Sequence, residues 1–424
     1  MALTIQQQPD IWTPAYNPMV FVLDSNNNAQ PNFRYVADIY VSGSTGRQLR
    51  MLASASPTLS QGVFDVSPII STFLGELEDS INGFNINKTT NGFGLAASSM
   101  VAYEVKFGEQ YGTTLAITTY PDITVTGTKY SFNGCYDTAT WSGYDFTTFD
   151  GTSIAIEDTN ETLNRMPYTT SYQFSVGYQD RYLHFITNSS NKIAQAEIKT
   201  YDFSGNLVDT GVITNPYAVH AFYTYRRQFF SCGMRSLNNA TYSSGSITIN
   251  DSVAYYTVDL QNNLGVSQLA SLYRFNNDTT CYSGRSPISL HWLNDQGAFD
   301  SKEFTMVNRP KTKKTESTFK RKLGIETNNA YGYVNSDAGT VVIDTTIQER
   351  YELQSDWTDI DESLMLNQLI QSPVVFMDIN GKLLRGRIVS PTEAEIKSVS
   401  FGNIELDNLK IVFECAVDSK RQRA

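Results

Sequence analysis

Three histidines, His184, His220 and His291, are the first residues to weigh for chemistry. Imidazole is the usual proton carrier near neutral pH and the commonest metal ligand. None of the three has a second histidine or cysteine at the i+2 or i+4 spacing that strands and helices use to hold an ion. Their aromatic, strand-like surroundings read as packing or hydrogen-bonding positions. A carboxylate pair is the next candidate, since glycoside hydrolysis needs two acids across a cleft. Asp359, Asp361 and Glu362 are close in sequence, but they crowd the first turns of a predicted helix, where negative charge favours the helix dipole. Asp378-Ile379-Asn380-Gly381 looks like a fragment of a calcium loop without its remaining ligands; Asn380-Gly381 is better read as a two-residue hairpin turn. The chain has no GxSxG, HExxH, P-loop or dinucleotide fingerprint. No catalytic residue, cofactor or metal site is assigned, and the expectation is a protein that is not an enzyme.

Two features point to binding instead. Arg309, Lys311, Lys313, Lys314, Lys320, Arg321 and Lys322 stand against a single Glu316. Such a run is ordinarily a solvated loop, or a strand edge guarded by lysines. Its alternative use is a dock for an acidic neighbouring subunit, with Lys311, Lys313, Lys314, Arg321 and Lys322 as the contact residues. There charge would set orientation and register more than affinity. The second feature is the Tyr- and Asn-rich middle of the chain. Trp141, Tyr144 and Tyr178 are its candidates for stacking on sugar rings, although an aromatic in a β protein is usually core.

The elements that would position these residues are mostly strands. Phe33, Tyr35, Ala37, Ile39 and Val41 share one face, with Arg34, Asp38 and Ser42 on the other. Ser67-Pro68 reads as an N-cap followed by proline at the first helical position, opening a short helix from Ile69 to about Leu77. Strands are predicted at 19–23, 102–107, 115–119, 182–187 and 194–203. The last turns at Ser204-Gly205-Asn206 and returns as 207–213. No helix-period segment of useful length appears between 130 and 285. The end of the chain reads β-α-β-β-β-β: strand 341–353, helix 357–371 closed by Ser372-Pro373, strand 374–379, and three more strands. The last of these puts Leu409, Ile411, Phe413, Cys415 and Val417 on one face, and a polar, frayed tail is expected from Ser419 to Ala424.

The fold class is therefore mainly β: several antiparallel sandwich or barrel domains. The expected division is an N-terminal β domain with a short helix (1–130), an inserted β domain (131–285) and a sheet-plus-helix domain (286–424). Composition agrees. Charged residues are only 18% of the 424, against aromatics at 12%, where an average globular protein has about 25% charged residues. Polar surface must come from Asn, Ser, Thr and Gln, which with Thr, Tyr, Phe and Val suits strands and turns. The net charge of −11 excludes the overall basic footprint of a duplex-DNA binder, so no direct nucleic-acid contact is expected. Cys135, Cys232, Cys281 and Cys415 lie far apart and read as free buried thiols. Residues 1–8 have neither a basic nor an apolar run, so no secretory signal is expected, and no stretch reaches the roughly 18 apolar residues of a membrane span. Folding in a cytoplasm is the expectation.

Several segments together resemble tail or minor structural proteins of tailed phages, mainly those of Bacteroidota hosts. These are Trp12 to Pro18 followed by an apolar strand, Phe33 to Val41, and Gly62 to Ser67. His291-Trp292-Leu293-Asn294-Asp295-Gln296-Gly297-Ala298-Phe299-Asp300 resembles the "WLN-x-x-G-x-x-D" stretch of that group, with an acid at Asp295 where a basic or other polar residue is more usual. Residues 355–373 are similar to its C-terminal helix and following strand. The resemblance covers both ends and the 290–310 region; the middle matches in general character only. It implies a virion component without an active site: a homo-oligomeric ring or hub in the tail, at the tip, baseplate or tail junction. Such a ring offers one surface to the tail tube and another to fibres or further rings. It also implies that the C-terminal domain is tail-tube-like, its sheets closing into a ring that hides their edges. The partners implied are copies of itself and other tail proteins, with no membrane, after synthesis in the host cytoplasm. The competing expectations are a receptor-binding adhesin that takes a glycan on the middle domain, and a polysaccharide-cleaving enzyme.

Overall fold

The computed structural model describes residues 3–74, 92–96, 99–113, 117–123, 127–136, 155–157, 171–175, 182–187, 193–218, 226–267, 273–278, 288–295, 297, 299–320, 325–327, 330–332, 339–355, 360–379, 382–389, 396–401 and 404–423. The chain is mainly β, built from antiparallel sheets with two parallel pairings, and divides into two compact units. Unit 1 holds residues 1–278 and 293–300; unit 2 holds 279–292 and 301–424. Among the described residues no sheet closes into a barrel, and no helix is long and apolar enough to cross a membrane.

Unit 1 contains two cores, each lined by two sheets. In the first, a three-stranded sheet (Leu3–Gln7, Val20–Ser25, Gly62–Asp65) and a six-stranded sheet centred on Arg34–Val41 and Met100–Gln110 contribute Phe21, Leu23, Phe64, Tyr35, Ile39, Tyr103, Val105 and Phe107. Alternation sets this packing: every second residue of Met100–Gln110 faces inward up to Phe107. On the face of Arg34–Val41 expected to be polar, Arg34 and Ser42 are exposed as expected, but Asp38 is buried. Asp38 is enclosed because Arg50, on the neighbouring strand, grips its carboxylate through two bonds of 2.6 Å each, with Arg47 at 3.4 Å. The short helix is Ser67–Ile70 followed by a 3-10 turn, Ser71–Phe73. Its cap is not Ser67. The Asp65 carboxylate accepts the Ser67 N–H and hydroxyl and the Met19 N–H, so it ties the helix start to the adjacent strand. The expected continuation to Leu77 lies outside the described residues.

The second core joins a four-stranded sheet (Ala155–Glu157, Tyr182–Thr187, Arg226–Ser231, Phe93–Leu95) to a six-stranded one that includes Gln195–Tyr201, Leu207–Thr214 and Tyr255–Gln261. The predicted hairpin across 204–206 is present. A five-residue helix, Met234–Asn238, stands where no helix was expected; five residues are too few to show a 3.6-residue period.

The main sheet of unit 2 has eight strands. Its path runs Phe299–Phe304, Ile288–Leu293, Val375–Ile379, Lys382–Ile388, Ile404–Arg423, Thr340–Gln354 and Val307–Lys320, with Ile396–Phe401 paired off Ile404–Arg423. The β-α-β-β-β-β order expected for this end is observed, with helix Ile360–Gln371 following Thr340–Gln354. Leu366 and Leu369 of that helix join Leu353, Ile411, Phe413, Met377, Leu290 and Trp292 in the core. Residues 356–359, including Trp357, lie outside the described residues. Ile379 stands opposite Lys382, the register a two-residue turn requires. The tail expected to fray is strand as far as Arg423. Asp344, Thr345, Thr346 and Ile347 pair with Arg423, Gln422, Arg421 and Lys420, so cross-strand hydrogen bonds order a segment that has little apolar content of its own.

Candidate interaction surface

The basic run falls on Val307–Lys320, a 14-residue strand at the end of the sheet's strand order. Residues 309–320 are all exposed. The outer main-chain groups of such a strand are not used by its own sheet, and Pro310 fits because an edge position tolerates a missing N–H. Of the expected contact residues, Lys311, Lys313 and Lys314 lie on this edge; Arg321 and Lys322 lie outside the described residues. So do the sugar-stacking candidates Trp141, Tyr144 and Tyr178, the acid Asp359 and His220, while Asp361 and Glu362 are described only as helical backbone.

Cross-strand register gathers the charges on one face. Arg309 stands opposite Glu352, Lys311 opposite Arg350, Arg350 opposite Glu414, and Arg387 opposite Glu414. Directly opposed residues of an antiparallel pair share a face. Two carboxylates sit low on it: Glu352 is 5% and Glu414 1% exposed. Lys311 and Lys410 both bind Glu352. Arg387 donates to Oε1 of Glu414 at 2.7 and 3.2 Å, and Arg350 Nε donates to Oε2 at 2.6 Å. Lys313 approaches the same carboxylate at 3.6 Å. Lys314, on the opposite face, pairs with Glu316 along its own strand.

The cations hold both acids ionised. Hydrogen bonds from Lys311 and Lys410 pull Glu352 down to about 2 against the effect of burial. At Glu414 burial is the largest influence and pushes upward, but the bonds from Arg387 and Arg350, with the charges of Arg350 and Lys313, outweigh it and hold the group below the usual carboxylate range. The arrangement buries negative charge beneath positive charge. What it presents outward is cationic. Sequence reading missed Arg350, Arg387, Lys410 and both acids. The available signal was even spacing of opposite charges, Arg350-x-Glu352 and Lys410-x3-Glu414, with Tyr351, Ile411 and Phe413 at positions of the other face.

Both described histidines are buried, His184 at 1% and His291 at 0% exposure. His184 is fully buried in unit 1 and its Nε2 accepts the Phe299 N–H at 3.2 Å. Burial, reinforced by the Arg227 charge, pushes its pKa well down, so it is a neutral acceptor. The segment 292–300 is built around a turn. The Gly297 N–H donates to the Asn294 carbonyl at 2.9 Å, and Asn294 Nδ2 reaches the Asp300 carboxylate at 3.4 Å. Gly297 has φ +71°, and a Cβ there would lie 1.3 Å from the Asn133 carbonyl oxygen. The Asn, Gly and Asp positions of that segment are thus accounted for by turn geometry. Two other turns use Asx chemistry: the side chains of Asp202 and Asn262 each accept two backbone N–H groups, ahead of Gly205 and Gly265 at φ +81° and +71°. Cys232 and Cys415 are buried as expected; Cys135, expected to be buried, is exposed, with its N–H on the Asp295 carbonyl. Cys281 lies outside the described residues. No family model and no curated protein sequence matches this chain.

Proposed function

We propose that this chain is a virion structural protein of a tailed phage, a homo-oligomeric ring or hub element that joins the tail tube to neighbouring rings or fibres and performs no catalysis. One observation carries the assembly part of the reading. The eight-stranded sheet ends in a 14-residue strand that is exposed from Arg309 to Lys320 and lined with cations, a form that suits lateral contact with other subunits. The resemblance of both chain ends to phage tail proteins supplies the biological setting, and with it the tail-tube-like role of unit 2. The working location is the virion tail, after synthesis in the host cytoplasm. Immunogold electron microscopy of purified particles, with antibody against residues 131–285, tests it. Label at the tail or neck is the expected result. Label on the capsid alone, or absence of the protein from the particles' mass spectrum, overturns it.

A second reading, a glycan-binding tail adhesin, draws support from the second core's larger sheet. Phe203 is 74% exposed on its rigid Asp202 turn, near the stacked Tyr201–Tyr255 pair. A glycan array showing no binding removes it.

A further inference from the structure

The cationic face of unit 2 has more positive charge than its own acids can balance. Arg309, Lys311, Lys313, Arg350, Arg387 and Lys410, six cations, share it with three acids, Glu352, Glu414 and, by register opposite Gln348, Asp418. Glu352 and Glu414 are already saturated with donors and buried under the cations that hold them. Arg387 is 72% exposed as a side chain, and Lys311 54%. An incoming carboxylate would therefore meet ammonium and guanidinium groups first.

The rest of the chain carries the opposite sign. Unit 2 has 18 Lys and Arg against 18 Asp and Glu, which leaves 14 against 25 in unit 1, so the whole net charge of −11 belongs to unit 1. We infer that the cationic face and the Val307–Lys320 edge dock on the acidic unit 1 of a second copy of this chain, in a head-to-tail contact. This inference rests on the assembly reading above and names the partner surface within it.

Two alternatives fit less well. If two copies paired through the same edge by a two-fold axis, Lys311 and Lys313 of each would face a basic strand, and like charges opposed across strands are destabilising. A nucleic acid would be attracted by this face but repelled by the net charge of unit 1. A head-to-tail contact uses different surfaces on the two copies, so it propagates and closes into a ring where the rotation permits.

The test is sedimentation velocity and native mass spectrometry of the full chain, from about 30 to about 300 mM NaCl, a range over which exposed charges become largely screened. The variant is R309E/K320E, which reverses two edge cations that form no ion pair with Glu352 or Glu414, although Arg309 stands opposite Glu352 in register; R309Q/K320Q serves if reversal disturbs the fold, judged by circular dichroism. The wild type should self-associate at low salt and lose roughly tenfold or more in association constant across the range. The variant alone should be monomeric. Added to wild type, it should cap growing assemblies, because it retains an intact unit 1. A wild type that stays monomeric at all salts overturns the inference, whereas the immunogold result bears separately on the virion reading. A stable one-to-one complex of wild type and the reversed variant, tighter than wild type with itself, also overturns it in favour of two-fold edge pairing. So does binding of a duplex oligonucleotide that is lost in the variant, without self-association.

Discussion

Two glutamates, one in each unit, are almost wholly removed from water and are accommodated in opposite ways. Glu109 of unit 1 is 0% and Glu414 of unit 2 is 1% exposed. Glu109 receives neutral donors: the Ser25 hydroxyl on Oε1 and the Asn27 amide on Oε2 at 2.8 Å. Among the described residues no cation pairs with it. Glu414 receives Arg350, Arg387 and Lys313 from three different strands. A buried carboxylate requires hydrogen bonds or counter-charge. Unit 1 meets that requirement with a local polar loop. Unit 2 meets it with long cations whose far sides remain in solvent. The first solution is only structural. The second leaves a charged surface as its by-product, and that surface is the one we propose for assembly.

The largest expected effect in unit 2 comes from the backbone that lets this charge cluster form. Gly386 lies beside Glu414, and a Cβ there would stand 2.3 Å from the Glu414 carbonyl oxygen and 2.2 Å from the buried ring of Phe413. Gly386→Ala must separate the Lys382–Ile388 strand from Ile404–Arg423 and should cost about 3 kcal/mol. Hydrogen exchange should show protection lost across unit 2 while the Met100–Gln110 strand of unit 1 is unchanged. Exchange that is unaltered in unit 2 would mean that the two strands have room to give.

The comparison itself is sharpened by making the same substitution at both sites. Glu414→Gln removes the counter-charge from Arg350 and Arg387 and should cost about 1–3 kcal/mol in urea unfolding. Glu109→Gln keeps an acceptor for its neutral donors and removes a buried charge, so it should change stability by less than about 1 kcal/mol in either direction. Equal losses at the two sites would show that hydrogen bonds, not counter-charge, dominate in both.

Acid should discriminate in the same direction. Glu352 is held at about 2, below its ordinary 4.5, and Glu414 is also depressed. A carboxylate with a lowered folded pKa contributes stability that is complete above its unfolded value and is lost as pH falls through the folded one. The unfolding midpoint of unit 2 should therefore decline between pH 4.5 and about 2, and Glu352→Gln should flatten that decline. A midpoint as steep in the variant as in wild type would remove Glu352 from the account.

What could be read from sequence follows the range of the interactions. Period-2 alternation placed the strands, and Asn380-Gly381 set a hairpin whose register is observed, because these signals lie within a few residues. The basic run was recognised as a solvated loop, a strand edge or a dock from the cations between Arg309 and Lys322. Its chemistry was not legible, because the acid it shares, Glu414, draws donors 27 and 64 residues away in the chain. The tail at 419–423 was read as frayed for the same reason: its polar side chains carry no pattern, and the strand that orders it lies near residue 345. The Asp65 link was missed because Ser67-Pro68 carried the commoner helix-start pattern, whereas it is the Asp65 carboxylate that accepts from both Ser67 and Met19. Trp141, Tyr144 and Tyr178 fall outside the described residues, so their part in the molecule rests on the sequence reading alone.

The smallest effect separates structure from docking. Arg387 makes the two shortest contacts to Oε1 of Glu414, yet its side chain is 72% exposed and Arg350 already satisfies Oε2. Water can replace what Arg387 supplies, so Arg387→Ala should cost only about 0.5 kcal/mol of stability. If the cationic face is the assembly surface, the same substitution should still reduce self-association, since it removes the most solvent-facing cation of the Glu414 cluster without disturbing the carboxylate beneath. A loss of stability of several kcal/mol would make Arg387 a structural counter-ion. Unchanged stability with unchanged association would leave it an ordinary surface residue, and the assembly contact would then have to lie along the Val307–Lys320 edge.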